Sequence, residues 1–407
     1  MSLQYQSKED LEKFVCSRWN EINSYLEKEL DGLPVPFYSS VDIRESKTKY
    51  APVDLNLYPA GFNNLCQLDL DASLNHFEMA ISKISSDAKR VGIIVESHTK
   101  NLFYLDHLAH LGQTLKAAGY EVSFCSLDEN LFVDGTDKLS LISQSKFDID
   151  ILLLELKEQK LIYQDQEFDL LIMNNDQSNP IDINWDNLKT PIHPSPKAGW
   201  FRRKKTSHFE KYQEVILKFC DNFSIDPNLL MAGFIAKDGL DFLSKEGLEE
   251  LGSSVDELLT RIPKGSKVFV KADQGTYGMG ISVVESGEEI VSMNRKKRNK
   301  MDIGKNKIKF NSVIIQEGVD SILTYDGHPA EVTIYLIAGC PIGGFVRANE
   351  KKGSGDNLNS QGMVFKKYCI SEIKENTDHQ SKEAVYSIIA RLSTLAGALE
   401  IKEIINN

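Results

Sequence analysis

The stretch "KVFVKADQGTYGMGISVV", residues 267–284, reads as a strand, a glycine-rich turn and a second strand. Lys271 stands at the lip of the first strand, and Gly275, Thr276, Tyr277, Gly278 and Gly280 follow. The glycine order is G-x-x-G-x-G and leads into a strand. It is therefore neither a P-loop nor the dinucleotide fingerprint, which opens a helix. Taken alone, the turn is either a tight hairpin or a loop that cradles phosphate. Glycines let backbone N–H groups approach an anion closely. Lys271 adds a compact positive charge at the strand end. That combination favours nucleotide binding over turn geometry alone.

Moving outward, "SVIIQEGVD" (312–320) is an apolar strand that ends in Gln316 and Glu317. Such an end can present its backbone to an adenine edge, with Glu317 or Asp320 accepting from a ribose hydroxyl; taken alone, it reads sooner as a strand running out to solvent. In "AEVTIYLIAGCPIGGFVR" (330–347), Val332, Ile334 and Leu336 share one strand face, and Glu331, Thr333 and Tyr335 share the other. The polar face reads as the floor of a cleft, and Arg347 ends the next strand. "GSGDNLNSQG" (353–362) then supplies Asn357 and Asn359. A magnesium–nucleotide complex takes hard oxygen ligands and only one or two carboxylates, which Glu331 with Asn357 or Asn359 can provide. "RRKKTSHF" (202–209) is either a solvated basic face or, because it opens a helix, an anion site, with Thr206 or Ser207 as N-cap. "NRKKRNKMDIGKNKIKF" (294–310) reads as an exposed insertion.

The first half is organised differently. Leu11, Phe14, Trp19, Ile22, Leu26 and Leu30 predict one amphipathic helix over 9–30, broken by "DGLPVPF". Residues 39–65 read as a long, ordered, loop-like segment of functional character. "RVGIIVES", "NLFYLDHLAHLGQTLKAAG" and "YEVSFCSL" form a βαβ unit, continued by "IDILLLEL" and "FDLLIMNND", which implies a parallel sheet. Ligands gather at the carboxyl ends of such strands, here "ESHTKN" (96–101) and "NNDQSN" (174–179). "PIHPSPKAGW" (191–200) marks a boundary, 237–262 reads as helix, and 380–400 as a closing amphipathic helix. The domains expected are 1–88, a helix with a substrate-loop segment; 89–198, an α/β domain with a parallel sheet; and 199–407, a domain of mixed and antiparallel sheets.

A chain of 407 residues is too long for one compact core. Its net charge of −12 speaks against general nucleic-acid binding, although local basic patches still allow an anionic ligand. The six cysteines form no C-x-x-C pair, so free thiols in a reducing cytoplasm are expected rather than zinc or redox chemistry. The polar opening "MSLQYQSKEDLEKF" reads as no signal peptide, and no apolar run reads as a membrane span. HExxH, G-x-S-x-G and a Ser/His/Asp pattern are missing, which excludes the commonest hydrolase chemistries.

Residues 200–400 resemble the ATP-grasp superfamily. The order carries the resemblance: Lys204 or Lys205 at a helix start, Lys271, the glycine loop, the "IIQEGV" hinge with Val319, a Glu-bearing strand, Arg347 and "NLNSQG". The whole chain is similar to the proteobacterial glutamate–cysteine ligases, through "VDIRESKTKYAPVDLNLYPAGFNNL", "ESHTKNLFYLDHL", "NNDQSNPI", "GWFRRKKTSHFEKY" and "VKADQGTYGMGI". The resemblance implies an N-terminal domain like those that precede ATP-grasp domains, then the ATP-grasp domain itself. It implies that ATP and Mg²⁺ serve the joining of glutamate to cysteine through an acyl phosphate, the first step of glutathione synthesis. Lys205 and Lys271 would hold phosphates, and Arg347 would stabilise the transition state. Arg44, Asn56, Asn63, Glu96 and Thr99 would recognise the amino acids, and Glu331, Asn357 and Asn359 would bind metal. The chain departs from many ATP-grasp enzymes in closing on "LEIKEIINN" without an acidic-x-Asn strand. Two alternatives stay open here, another carboxylate–amine ligase of this fold and a non-catalytic ATP sensor.

Overall fold

The computed structural model describes residues 4–97, 99–133, 135–274, 280–295, 298–299, 311–360, 362–368 and 377–406, with side chains beyond residue 376 described from residue 382. Its central sheet is antiparallel. It joins β1 (Tyr38–Glu45), β2 (Tyr50–Asn56), β16 (Thr324–Tyr325), β17 (His328–Ile337), β18 (Cys340–Asn349) and β19 (Met363–Tyr368). The order is β19-β18-β17-β1-β2, with β16 beside β17. β1 pairs with β17 so that Asp42 faces Thr333, and with β2 so that Asp42 faces Asp54.

Residues 39–65 thus open with a buried hairpin rather than a long loop, and β1 is buried along its whole length. The reason is alternation. Val41 and Ile43 join Val332, Ile334 and Leu336 in the largest core, under α8 (Thr377–Asn406) and α5 (Lys205–Phe223). Asp42 and Arg44 point to the opposite face, where their partners come from distant strands. The expected helix over 9–30 is two helices, α1 (Lys8–Ser17) and α2 (Trp19–Leu30), separated where Arg18 leaves helical geometry at φ −112° and ψ 20°. The stretch Lys382–Asn406 is long and apolar enough to cross a membrane, but 89% of its most apolar 18-residue window is buried inside the fold, where it serves as a core helix.

The opposite face of the central sheet carries α3 (Gln67–Ile84), whose Phe77 packs among Phe62, Tyr335 and Phe345. The approach is close: a Cβ on Gly343 would lie 2.4 Å from Asp69 Oδ2.

The second sheet has the order β11-β10-β3-β4-β6-β5. β3 (Arg90–Val95), β4 (Glu121–Ser126), β6 (Asp148–Leu153), β10 (Leu170–Asn174) and β11 (Ile192–His193) run parallel. β5 (Lys138–Ile142) is antiparallel at the edge. α4 (Leu102–Ala117) makes the crossover between β3 and β4, and Gly119 closes it at φ +95°. A small antiparallel sheet, β7 (Glu155–Lys157), β8 (Lys160–Tyr163) and β9 (Gln166–Glu167), lies between β6 and β10 in the chain. The remaining sheet, β12-β15-β13-β14, is antiparallel and packs on α6 (Lys245–Arg261) and α7 (Gly287–Val291). Its strands are β12 (Phe234–Lys237), β13 (Val268–Ala272), β14 (Ile281–Val284) and β15 (Val313–Glu317).

The expected domain limits meet a sheet that crosses them: β1 and β2, from within 1–88, pair with β17 from within 199–407. One cysteine expectation is also corrected. Cys16, Cys125, Cys220 and Cys340 are free, but Cys66 is disulfide-bonded.

Candidate active site

Three sheets converge on one cavity of ≈ 480 Å³. The central sheet gives its floor. The sheet of β13, β14 and β15 walls one end with Phe269, Lys271, Ile281 and Gln316. The parallel sheet closes the other end, where Glu96 follows β3 and Asn174 ends β10. Of the residues singled out from sequence, Lys205, Lys271, Gln316, Glu317, Val319, Arg44, Asn56, Asn63, Glu96, Glu331, Arg347, Asn357 and Asn359 all line this cavity. Thr99 is not among the lining residues. Gly280 sits beside β14 at φ +69°, its carbonyl accepting from Ala272 N at 2.9 Å. Gly275, Thr276, Tyr277 and Gly278 lie outside the described residues, as do most of 294–310 and His98.

At the first end two lysines converge. Lys271 Nζ donates to Gln316 Oε1 at 2.7 Å and to Val53 O at 3.1 Å. Burial lowers the Lys271 pKa to about 8, helped by the nearby Lys205 and Arg44 and opposed by Asp54. Lys205 Nζ lies 3.3 Å from Asp54 Oδ1 and 4.2 Å above the Trp200 ring. Burial alone would raise the Asp54 pKa, yet Lys205 and Lys271 together hold it below the ordinary value. With its oxygen fixed by Lys271, Gln316 leaves its amide nitrogen buried without a partner.

The basic run before α5 is split: Arg202 is exposed, as on a solvated face, but Arg203 is not, and the helix end is no free anion site. Arg203 is buried, bonds Glu400 through two N–H groups at 2.9 and 3.0 Å, and stacks 4.7 Å from the Trp200 ring. Neither Thr206 nor Ser207 caps the helix; Lys204 holds that position without a side-chain bond. Asp273 from the end of β13 does the capping, accepting from Thr206 N and Thr206 Oγ1, each at 2.8 Å. A carboxylate already occupies the place where an anion would sit.

The floor is a closed ionic lattice. Arg44 Nε donates to Glu331 Oε2 at 2.8 Å, and Arg347 donates to Glu331 Oε1 at 2.9 and 2.7 Å. Arg347 also reaches Asp42 Oδ2 at 2.5 Å, while Thr333 Oγ1 donates to Asp42 Oδ1 at 2.7 Å. The other Arg44 nitrogens donate to Val319 O at 3.4 Å and Asp356 O at 2.7 Å. Burial opposes ionisation of Glu331, but Arg347 and Arg44 outweigh it and bring its pKa to about 2. Asp42 is pushed the other way, by burial and by the neighbouring Glu331 and Asp54. Both Glu331 oxygens therefore serve arginines. Asn357 Oδ1 accepts from Asn359 N at 3.0 Å, and among the described residues no three His, Cys, Asp or Glu side chains group as a metal site. This donor set does not fit a metal held directly by protein carboxylates. Glu317 is likewise held, by Lys49 at 2.8 and 3.0 Å and by Gly233 N at 2.8 Å.

The far end is polar and ordered by Asn174. Its amide donates to Tyr38 OH at 2.6 Å and Pro59 O at 3.2 Å, and its oxygen accepts from Tyr104 OH at 2.8 Å. His107 accepts from Phe62 N through Nδ1 at 3.1 Å, which leaves Nε2 to donate to Asn174 Oδ1 at 3.2 Å. Burial depresses the His107 pKa to about 4, so the ring is neutral. This network fixes 57–64, which bring Asn63 and Asn64 to the cavity. Glu96 Oε1 accepts from Asp176 N at 2.6 Å and ties the two strand ends together. Sequence reading placed Asn174 in the strand-end group 174–179 but missed Asp42, Asp54, Trp200, Lys49 and Asp273. Asp42 and Asp54 carried a signal in the alternations V-D-I-R and V-D-L-N, whereas Lys49 and Asp273 act on partners far away in the chain.

The cationic end suits a nucleoside triphosphate: two lysines share one carboxylate, a buried amide donor lacks an acceptor, and Phe269, Ile281 and Val319 supply apolar wall. Fold and cavity together define a mixed α/β enzyme with a joint nucleotide and small-molecule site. The profile of the glutamate–cysteine ligase family matches residues 12–401, and the chain belongs to that family. A crystal structure from Methylobacillus flagellatus KT, provisionally named a gamma-glutamylcysteine synthetase, superposes with a TM-score of 0.87 at 32% identity, covering 97% of this chain and 96% of that one. D-alanyl-alanine synthetase A of Vibrio cholerae O1 biovar eltor str. N16961 is far more distant, with TM-score 0.38, 11% identity and 74% and 80% coverage, and carries no argument. No curated protein matches the chain. The function is that of a glutamate–cysteine ligase, and nothing found favours the ligase or sensor alternatives.

Proposed function

We propose that the protein forms γ-glutamylcysteine by activating the side-chain carboxylate of L-glutamate with ATP and passing it to L-cysteine. A carboxylate oxygen attacks the γ-phosphorus and ADP leaves. The cysteine amino nitrogen then attacks the acyl carbon, phosphate departs and the amine loses a proton. No protein nucleophile is needed; the protein positions the reactants and neutralises charge. Lys205 and Lys271 are the phosphate holders, because both ammonium groups face the cavity with Asp54 as their common counter-ion. Gln316 offers its unpartnered amide to the nucleotide. Arg347 lines the cavity, is anchored by Asp42 and Glu331, and is assigned to the transferring phosphoryl group. Arg44, Asn56, Asn63 and Glu96 are assigned to the amino acids, and Asn357 and Asn359 to the metal's hydration shell. Mg²⁺ would supply charge neutralisation on the phosphates, keeping most of its waters.

The single observation carrying this reading is one cavity that joins a cationic, under-satisfied end to a polar end at the carboxyl termini of parallel strands. The test measures ADP release with ATP and glutamate, with and without cysteine, and traps the intermediate with hydroxylamine. The expected outcome is glutamate-dependent ADP release and a γ-glutamyl hydroxamate. ADP release indifferent to glutamate would sink the reading.

A further inference from the structure

We propose that Asp273 is a positioning residue that sets the distance between the two phosphate-holding lysines. This rests on the reading above that Lys205 and Lys271 bind ATP phosphates. The two lysines come from different elements, Lys205 from the first turn of α5 and Lys271 from β13. Asp273 follows Lys271 by two residues and clamps the two elements together. Its carbonyl accepts from Lys205 N at 3.0 Å, and its carboxylate accepts from Thr206 N and Thr206 Oγ1 at 2.8 Å each. Its own N–H donates to Ser312 O at 3.1 Å, tying the clamp to the chain leading into β15. Gln274 adds a fourth link across the gap, donating to Phe201 O at 3.2 Å.

Asp273 is 1% exposed and is not among the cavity-lining residues, so it acts on a ligand only through others. The carboxylate serves the helix N-terminus and holds the backbone of Lys205 against the continuation of β13. Lys205 Nζ then reaches Asp54 Oδ1 on β2 at 3.3 Å, and Lys271 Nζ reaches the carbonyl of the preceding residue, Val53 O, at 3.1 Å. A clamp of this kind converts two flexible side chains into one cation pair of defined spacing, which lowers the ordering cost of binding a polyphosphate.

The experiment measures equilibrium binding of ATP to the full chain, in the wild-type and Lys205→Ala backgrounds, with thermal unfolding alongside. Asp273→Ala is expected to weaken ATP binding by at least about fivefold, the range of a lost helix cap. Asp273→Asn keeps an oxygen to accept from Thr206 N and turns the second bond round, its amide nitrogen donating to Thr206 Oγ1; it is expected to stay within about twofold of wild type, since Asn and Asp cap equally well. Should Asp273→Ala fail to fold, Thr206→Val removes one clamp bond and is expected to weaken binding about two- to threefold. Coupling is the discriminating readout. In the Lys205→Ala background, Asp273→Ala should add less than about twofold, because residues acting as a unit are not additive. An equal loss in both backgrounds, or wild-type affinity of Asp273→Ala, overturns the inference. Lys205→Ala alone tests the underlying reading: wild-type ATP affinity in that variant removes the lysine assignment itself.

Discussion

The floor of the cavity and its nucleotide end are built from the same kinds of residue and reach opposite states. On the floor, every carboxylate oxygen of Asp42 and Glu331 meets a donor, and Arg44 spends its nitrogens on Glu331, Val319 and Asp356. At the cationic end, Lys205 pairs with Asp54, the nearby Lys271 adds to the charge that keeps Asp54 ionised, and Gln316 keeps a buried amide with no acceptor. A lattice whose carboxylates are all engaged fixes the geometry of the arginines that line the cavity. An incomplete one stores binding capacity, because a buried donor without a partner is costly until something supplies the acceptor. Within one cavity, the floor holds its cations at fixed places and the other end keeps an open donor.

The sharpest way to break this comparison is Lys271→Ala. Steady-state kinetics should show a loss of about 10³-fold in kcat/KM for ATP, the scale of removing a principal electrostatic contact, with the melting temperature little changed. Near-normal turnover would return that lysine to the scaffold. Glu331→Ala should do the reverse. It leaves two buried arginines without their shared counter-ion and should cost about 3–5 kcal/mol of stability in denaturant unfolding. The Glu331 pKa is lowered from 4.5 to about 2, so its stabilisation is complete above pH 4.5 and fades as pH falls toward 2. The stability gap between wild type and Glu331→Gln should narrow over that window; a gap that holds at pH 2 contradicts the lattice. Asn174→Ala should cost about 2 kcal/mol, because Tyr38 and Tyr104 lose a buried partner, and the KM for the amino acids should rise more than that for ATP. The smallest effect is a pH limb. Lys271 titrates near 8, and its cation is lost as pH rises, so kcat/KM for ATP should decline above about pH 8. Lys271→Arg, always charged, should flatten that limb; a limb that survives belongs to another group.

Much of this was legible in the sequence. The parallel sheet showed through buried strands alternating with a 3.6-period helix, and the Glu331, Thr333 and Tyr335 face was identifiable from period two. The hairpin at 38–56 was not recognised, because Asp42, Arg44 and Asp54 look like residues destined for water. They face other charges instead, and those lie up to 305 positions along the chain. The same distance hid the role of Asp273: a helix cap normally sits beside its helix, and here it lies 67 positions later. Local pattern reports which way a side chain points; it carries no information about what waits there.

The pairing of β1 with β17 has a consequence for how the protein is made. Half of the floor, Asp42 and Arg44, leaves the ribosome early, and Glu331 and Arg347 follow about 300 residues later, which at typical synthesis rates is a delay on the order of tens of seconds. Until β17 arrives, β1 has an open edge and its charges have no partners. The nascent chain therefore carries no working nucleotide site, and the strand edge is exposed to mispairing for most of synthesis.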